Sequence, residues 1–167
     1  VTGELVRTWA EISARLGRNE LPAALFDAYY GGAFGDTVEG LRELGKAVED
    51  AWTGAEFPLL CVPLEIWANW FQSVGVIIDD GSPVPTESFQ VYRAAARKHK
   101  LGLSWTDDLD RAKWFLNRNE NVFGFRSGLY TAIAHPEDVL ARFTRARGES
   151  EWVLDARRLD IRPVPTK

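Results

Sequence analysis

The stretch Asp79-Asp80-Gly81-Ser82-Pro83 separates two halves of the chain that follow different folding periods. It combines acidic turn residues, a glycine and a proline, which interrupt both helices and strands. Upstream, apolar residues recur at three- and four-residue intervals, the period of a helix buried along one stripe. Downstream, they alternate or come in short runs of strand length. The expected class is α+β: a helical N-terminal lobe over residues 1–80, then a mixed unit over residues 81–167. At 167 residues the two can also form one compact unit.

In the first half, Leu5, Trp9, Ile12 and Leu16 share a helical face that Gly17 interrupts. Asn19-Glu20-Leu21-Pro22 restarts a helix, with proline tolerated in the first turn, and Gly31-Gly32 ends it. Asp36-Thr37 caps a third helix whose expected buried stripe is Val38, Leu41, Leu44 and Val48, with Trp52 at its far end. Phe57 to Val62 reads as a short buried strand or an apolar linker. The lone Cys61 within it is expected to be a buried, inert thiol. Pro63 then opens a helix carrying Leu64, Trp67, Ala68 and Phe71, with Trp67 and Trp70 expected in the core.

The net charge of −4 supplies no global field favouring nucleic acid or a membrane surface. One cysteine excludes an internal disulfide, and two histidines make a zinc site improbable, so no metal is expected. With no apolar leader or membrane-length run, a cytoplasmic location in a bacterial or host cell is the expectation. Abundant Arg and Ala with no Met point to a GC-rich bacterial or phage source.

A strand is expected at Val74–Ile78, at the end of the first half, and in the second half at Phe89–Arg93, Leu101–Trp105, Phe123–Phe125, Leu129–Ala134 and Ile161–Val164. Thr106-Asp107-Asp108 caps a helix whose apolar set is Leu109, Ala112, Trp114, Phe115 and Leu116. His135-Pro136-Glu137-Asp138 starts a short helix with Val139, Leu140 and Phe143. Near the C-terminus, Glu149 and Glu151 precede the apolar run Trp152-Val153-Leu154. Residues i and i+2 of a strand share a face, so the two carboxylates can enter one cleft and divide charge stabilisation from proton handling. An exposed acidic turn is the plainer alternative.

Other residues give this pair a context. Arg93, at a strand end, can hold phosphate or ribose through its planar fork, or simply make a surface ion pair. Ser104 can orient a carboxylate. Trp105 can stack on nicotinamide or adenine, or belong to the core. Tyr92 is expected on the core side of its strand. Arg93, Arg97, Lys98, His99 and Lys100 form one basic run and Arg142, Arg145 and Arg147 another, serving either as solvated loops or to attract a pyrophosphate or a nucleic-acid acceptor. No glycine-rich dinucleotide fingerprint is present, which argues against a Rossmann oxidoreductase.

Over roughly residues 88–156 this order resembles the ADP-ribosyltransferase fold, whose members carry an Arg-Ser-Glu or His-Tyr-Glu triad. Arg93 in Val91-Tyr92-Arg93 matches the first position. Ser104 in Ser104-Trp105-Thr106 matches the Ser-Thr-Ser motif, with Trp105 where the family often has Thr. Glu151 matches the catalytic glutamate and Glu149 the upstream member of Glu-x-Glu. The short interval between Arg93 and Ser104 looks more like the His-Tyr-Glu branch.

The resemblance implies a split, mainly antiparallel sheet, with the helical half as an accessory lobe. It also implies mono-ADP-ribosyl transfer from NAD to a protein, with arginine the favoured acceptor because of Glu-x-Glu. Glu151, Glu149 and Ser104 would be catalytic, and Arg93, Ser104, Trp105, Thr106 and Tyr92 would bind NAD. NAD hydrolysis, or a non-catalytic interaction protein that keeps the fold, are the alternatives.

Overall fold

The computed structural model describes residues 8–145 and 150–165. The chain divides into two compact units, Val1–Ile77 and Ile78–Lys167. The division falls within a two-residue strand, β1 (Ile77–Ile78), just ahead of the Asp79 turn.

The first unit is helical. Helix α1 (Trp9–Ser13) starts at a capping box in which Thr8 and Glu11 bond each other's backbone N–H. Its Trp9 is tied to α3 (Val38–Gly54) twice: the backbone N–H donates to buried Glu43 at 2.8 Å, and the indole N–H to Asp50 at 2.8 Å. Helix α2 (Leu21–Tyr30) carries Pro22 in its first turn and closes at Gly31, as the sequence implies. Thr37 caps α3 by accepting from Gly40.

The buried face of α3 is rotated from the expected stripe. Val38 and Leu41 are exposed, whereas Gly40, Glu43, Leu44, Ala47, Val48, Ala51 and Trp52 are buried. The phase is set where the helix begins, because Gly40 lies so close to the Phe34 carbonyl that a Cβ there would overlap it.

Residues 57–62 form neither a strand nor a linker. Pro58–Cys61 is a one-turn helix, α4, and it leaves Leu60 and Cys61 exposed, so the buried-thiol expectation is overturned. Proline in its first turn lets the backbone coil there. Helix α5 (Leu64–Val74) ends at Gly75, whose φ of 80° a side chain would resist. Trp52, Trp67, Trp70 and Phe71 form the unit's aromatic core. Edge-on ring contacts join Trp67 to Trp52 at 5.0 Å and to Trp70 at 5.1 Å.

The second unit contains β2 (Phe89–Ala95), β3 (Ser104–Trp105), α6 (Leu109–Asn121), β4 (Gly128–Ala134), β5 (Val139–Phe143), β6 (Glu151–Leu154) and β7 (Arg162–Pro163). One sheet has the order β1-β5-β6-β3 and the other β2-β4-β7. The pairs β2–β4, β3–β6, β4–β7 and β5–β6 are antiparallel. The architecture is α+β.

The core packs Val91, Trp105, Tyr130, Ala132, Ala134, Val139, Trp152 and Leu154 together. Several expected elements differ. Phe123–Phe125 is not a strand, and the expected helix after His135 is a single 3₁₀ turn, Pro136–Asp138, followed by β5. The strand from Val74 shrinks to β1, because α5 extends through Val74.

Two aspartates secure loop ends in this unit. Asp79 accepts from Thr144 N–H, Thr144 hydroxyl and Arg145 N–H at 2.8–2.9 Å. Burial alone would raise its carboxyl, but these hydrogen bonds outweigh it and hold the group below the usual range. Asp155 is lowered chiefly by its hydrogen bonds from the Arg157 guanidinium, at 2.8 Å each, which prevail over burial.

Both carboxyls therefore bind a proton less readily folded than unfolded. Their stabilisation is complete above the unfolded value of about 3.8 and is lost as pH falls through the lower folded values. The urea midpoint should hold between about pH 7 and 5 and drop below about pH 4, more shallowly in Asp155→Asn.

Candidate functional site

The two sheets of the second unit are joined at Tyr92 and Thr106. Tyr92 N–H donates to the Thr106 carbonyl at 2.7 Å, and Thr106 N–H returns the bond at 3.0 Å. Beside this junction lies a cavity of about 110 Å³. Tyr92, Arg93 and Ala94 line it from β2, and Ser104, Trp105 and Thr106 from β3 and the residue after it. Arg111, Ala112 and Phe115 of α6 close another side, with Ser150 and Glu151 at the start of β6. A wider groove of about 500 Å³ shares Thr106, Arg111 and Ser150 with it and adds Asp108, Asp110 and Trp114.

Arg93 lies opposite Tyr130 in the β2–β4 register. Its guanidinium donates through Nη1 to the Ser104 carbonyl at 2.6 Å and through Nη2 to the His99 carbonyl at 3.3 Å. Its Nε is buried without a partner. Burial lowers the guanidinium to about 10, and the negative charge of Glu151 opposes that shift. Arg93, half-buried, is therefore a protonated, partly desolvated cation at neutral pH, within electrostatic reach of a carboxylate.

Ser104 supplies a carbonyl to Arg93 and lines the cavity. Thr106 is buried, and its hydroxyl accepts from Asp108 N–H at 3.1 Å, starting the turn into α6. Glu151, half-buried, opens β6 and pairs in register with Phe143. Glu149 lies outside the described residues, as does Arg147. The cavity thus brings together Tyr92, Arg93, Ser104, Trp105, Thr106 and Glu151 of the sequence-derived set.

Of the two places open to Trp105, stacking or core, the structure shows the core. It is only 2% exposed, its indole N–H donates to the Gly102 carbonyl at 2.9 Å, and it packs into the core, leaving almost no face for a stacked ring. Tyr92 borders the cavity from a half-buried position instead of filling the core. The exposed ring at the site is Trp114, of the apolar set of α6, with the Arg111 and Arg118 guanidinium groups 5.1 and 5.5 Å from its centre.

The basic runs resolve into local roles. Arg97, Lys98 and His99 form an exposed 3₁₀ turn whose His99 carbonyl receives Arg93. Arg142 bonds Ser82 at 3.2 Å and lies 4.9 Å above the Trp152 ring. Ser88 and His135 Nδ1 are hydrogen-bonded at 2.7 Å, a structural place for that histidine.

Sequence reasoning did not single out Arg111, Ala112, Phe115 and Ser150 as site residues. The available signal was the cap: Asp108 accepts from Asp110 and Arg111 N–H, so α6 begins at the cavity edge and its first inward turn must face the cavity. Asp107 was read only as part of that cap. Its carboxylate also accepts from the Trp152 indole at 3.1 Å, tying the start of α6 to the strand that carries Glu151.

Among the described residues no group of three or more His, Cys, Asp and Glu is placed to hold a metal, and no helix is long and apolar enough to cross a membrane. No protein-family model, curated protein or solved structure matches the chain.

Asp107→Ala leaves the Trp152 indole N–H without its acceptor and should cost about 1–3 kcal/mol in chemical denaturation. Asp107→Asn, which keeps a carbonyl acceptor, should cost less.

Proposed function

We propose that this chain is a NAD-dependent mono-ADP-ribosyltransferase of the Arg-Ser-Glu type. The observation that carries the reading is the convergence of Arg93, Ser104, Thr106 and Glu151 on one cavity at the sheet junction. Residues brought together from β2, β3 and β6 supply the chemistry that cleavage of a nicotinamide riboside requires.

In the proposed reaction, Arg93 holds a phosphate or the nicotinamide ribose. A desolvated guanidinium favours an anion more strongly than one in water does. Glu151 accepts a hydrogen bond from the ribose 2′-hydroxyl and stabilises the oxocarbenium-like centre as the C1′–N bond breaks. Nicotinamide leaves with the bonding pair and becomes neutral. An acceptor nucleophile then bonds C1′ and gives up its proton. Ser104 and Thr106 frame the pocket around Glu151, and Arg111 and Phe115 form its helix-side wall.

A protein acceptor is favoured over water by the groove at the cavity's edge. Asp108 and Asp110 are carboxylates of the kind that receives a guanidinium, in keeping with an arginine acceptor. Glu149, by the family resemblance, would orient or deprotonate that acceptor.

The test supplies labelled NAD and a lysate to the wild type and to Glu151→Gln. Wild type should label protein, and the variant should lose at least about 100-fold of that rate. Nicotinamide release without labelled acceptor would move the assignment to NAD hydrolysis. Equal labelling by both proteins, or no nicotinamide release and no labelling from either, would remove the reading.

A further inference from the structure

We infer that Gly102 is a positioning residue for Arg93, and that its missing side chain is what lets the guanidinium enter the cavity wall. A Cβ built on Gly102 would fall inside the guanidinium, 2.5 Å from Cζ, 3.0 Å from Nε and closer still to Nη2. The backbone itself does not call for glycine, because Gly102 is not among the residues in the left-handed region. The requirement is therefore steric, and Arg93 imposes it.

Gly102 cannot readily retreat. Its N–H donates to the His99 carbonyl at 3.2 Å, closing the turn, and its carbonyl accepts the buried Trp105 indole at 2.9 Å. The guanidinium is held between carbonyls on either side of this glycine in sequence, those of His99 and Ser104. An added methyl group must displace Arg93 from at least one of them. The turn 97–102 thus acts as a mould: it supplies one carbonyl and the open surface, and β3 supplies the other carbonyl. This rests on the reading of Arg93 as the anion anchor of the NAD site.

The experiment compares wild type, Gly102→Ala, Arg93→Ala and the double variant. NAD affinity is measured by calorimetry. Urea midpoints and the Arg93 Nε–H resonance in ¹⁵N-labelled protein are read without ligand. NAD affinity should fall at least tenfold in Gly102→Ala, and the double variant should bind no more weakly than Arg93→Ala alone. The Nε–H resonance should move in Gly102→Ala, which a merely structural loss elsewhere would not cause.

Wild-type affinity in Gly102→Ala, or losses that add in the double variant, would overturn the inference. If the wild type itself binds no NAD, the transferase reading fails separately. The ligand-free measurements then decide: a shifted resonance with non-additive midpoints upholds the role of Gly102, and an unshifted resonance with additive midpoints refutes it.

Discussion

The reciprocal backbone bonds between Tyr92 and Thr106 are the constraint on which the site depends. Tyr92 belongs to the sheet β2-β4-β7, and Thr106 directly follows β3 at the edge of β1-β5-β6-β3. Two ladders joined at one residue pair do not extend one another, and the space beside the joint is the cavity. Arg93 and Ala94 follow the junction on one strand, and Ser104 and Trp105 precede it on the other. Thr106 also begins the passage into α6 through its hydroxyl, so a single buried residue links both sheets to the helix that forms a cavity wall.

The surrounding core is built to keep that joint in place. Trp105 and Trp152 face each other across β3 and β6, and each indole N–H has an acceptor: the Gly102 carbonyl for one, the Asp107 carboxylate for the other. Most buried indoles find such partners, and here the partners lie on the two sides of the cavity strand. Arg93 is the costly element. Placing a guanidinium out of water is unfavourable unless charge and hydrogen bonds compensate it. Two carbonyls and the nearby negative charge of Glu151 provide only part of that, since Nε remains unmatched.

Much of this was legible in the sequence, for physical reasons that can be named. The caps at Thr37 and Asp108 and the alternation in Phe89–Arg93 are local signals, and each produced the expected element. Strand β5 was misread because it lies between β1 and β6 and is buried along nearly its whole length, so it has no alternation to distinguish it from a buried helix turn. Leu60 and Cys61 look apolar in sequence but lie exposed on one turn of helix. Trp105, for which core and stacking were both open, lies in the core, and Trp114 of the α6 apolar set lies exposed at the groove, because composition carries no information about which ring a tertiary contact will cover. Gly102 was legible as a glycine but not as a seat for Arg93, which only the fold brings against it.

The most direct test of the central claim is a crystal structure with an NAD analogue whose glycosidic bond cannot break. The expected result places the nicotinamide end in the cavity beside the Tyr92–Thr106 joint. The 2′-hydroxyl of its sugar should be within hydrogen-bond distance of Glu151, and Arg93 should contact a phosphate or the same sugar. An analogue bound elsewhere, or a cavity left empty at saturating concentration, would contradict the account.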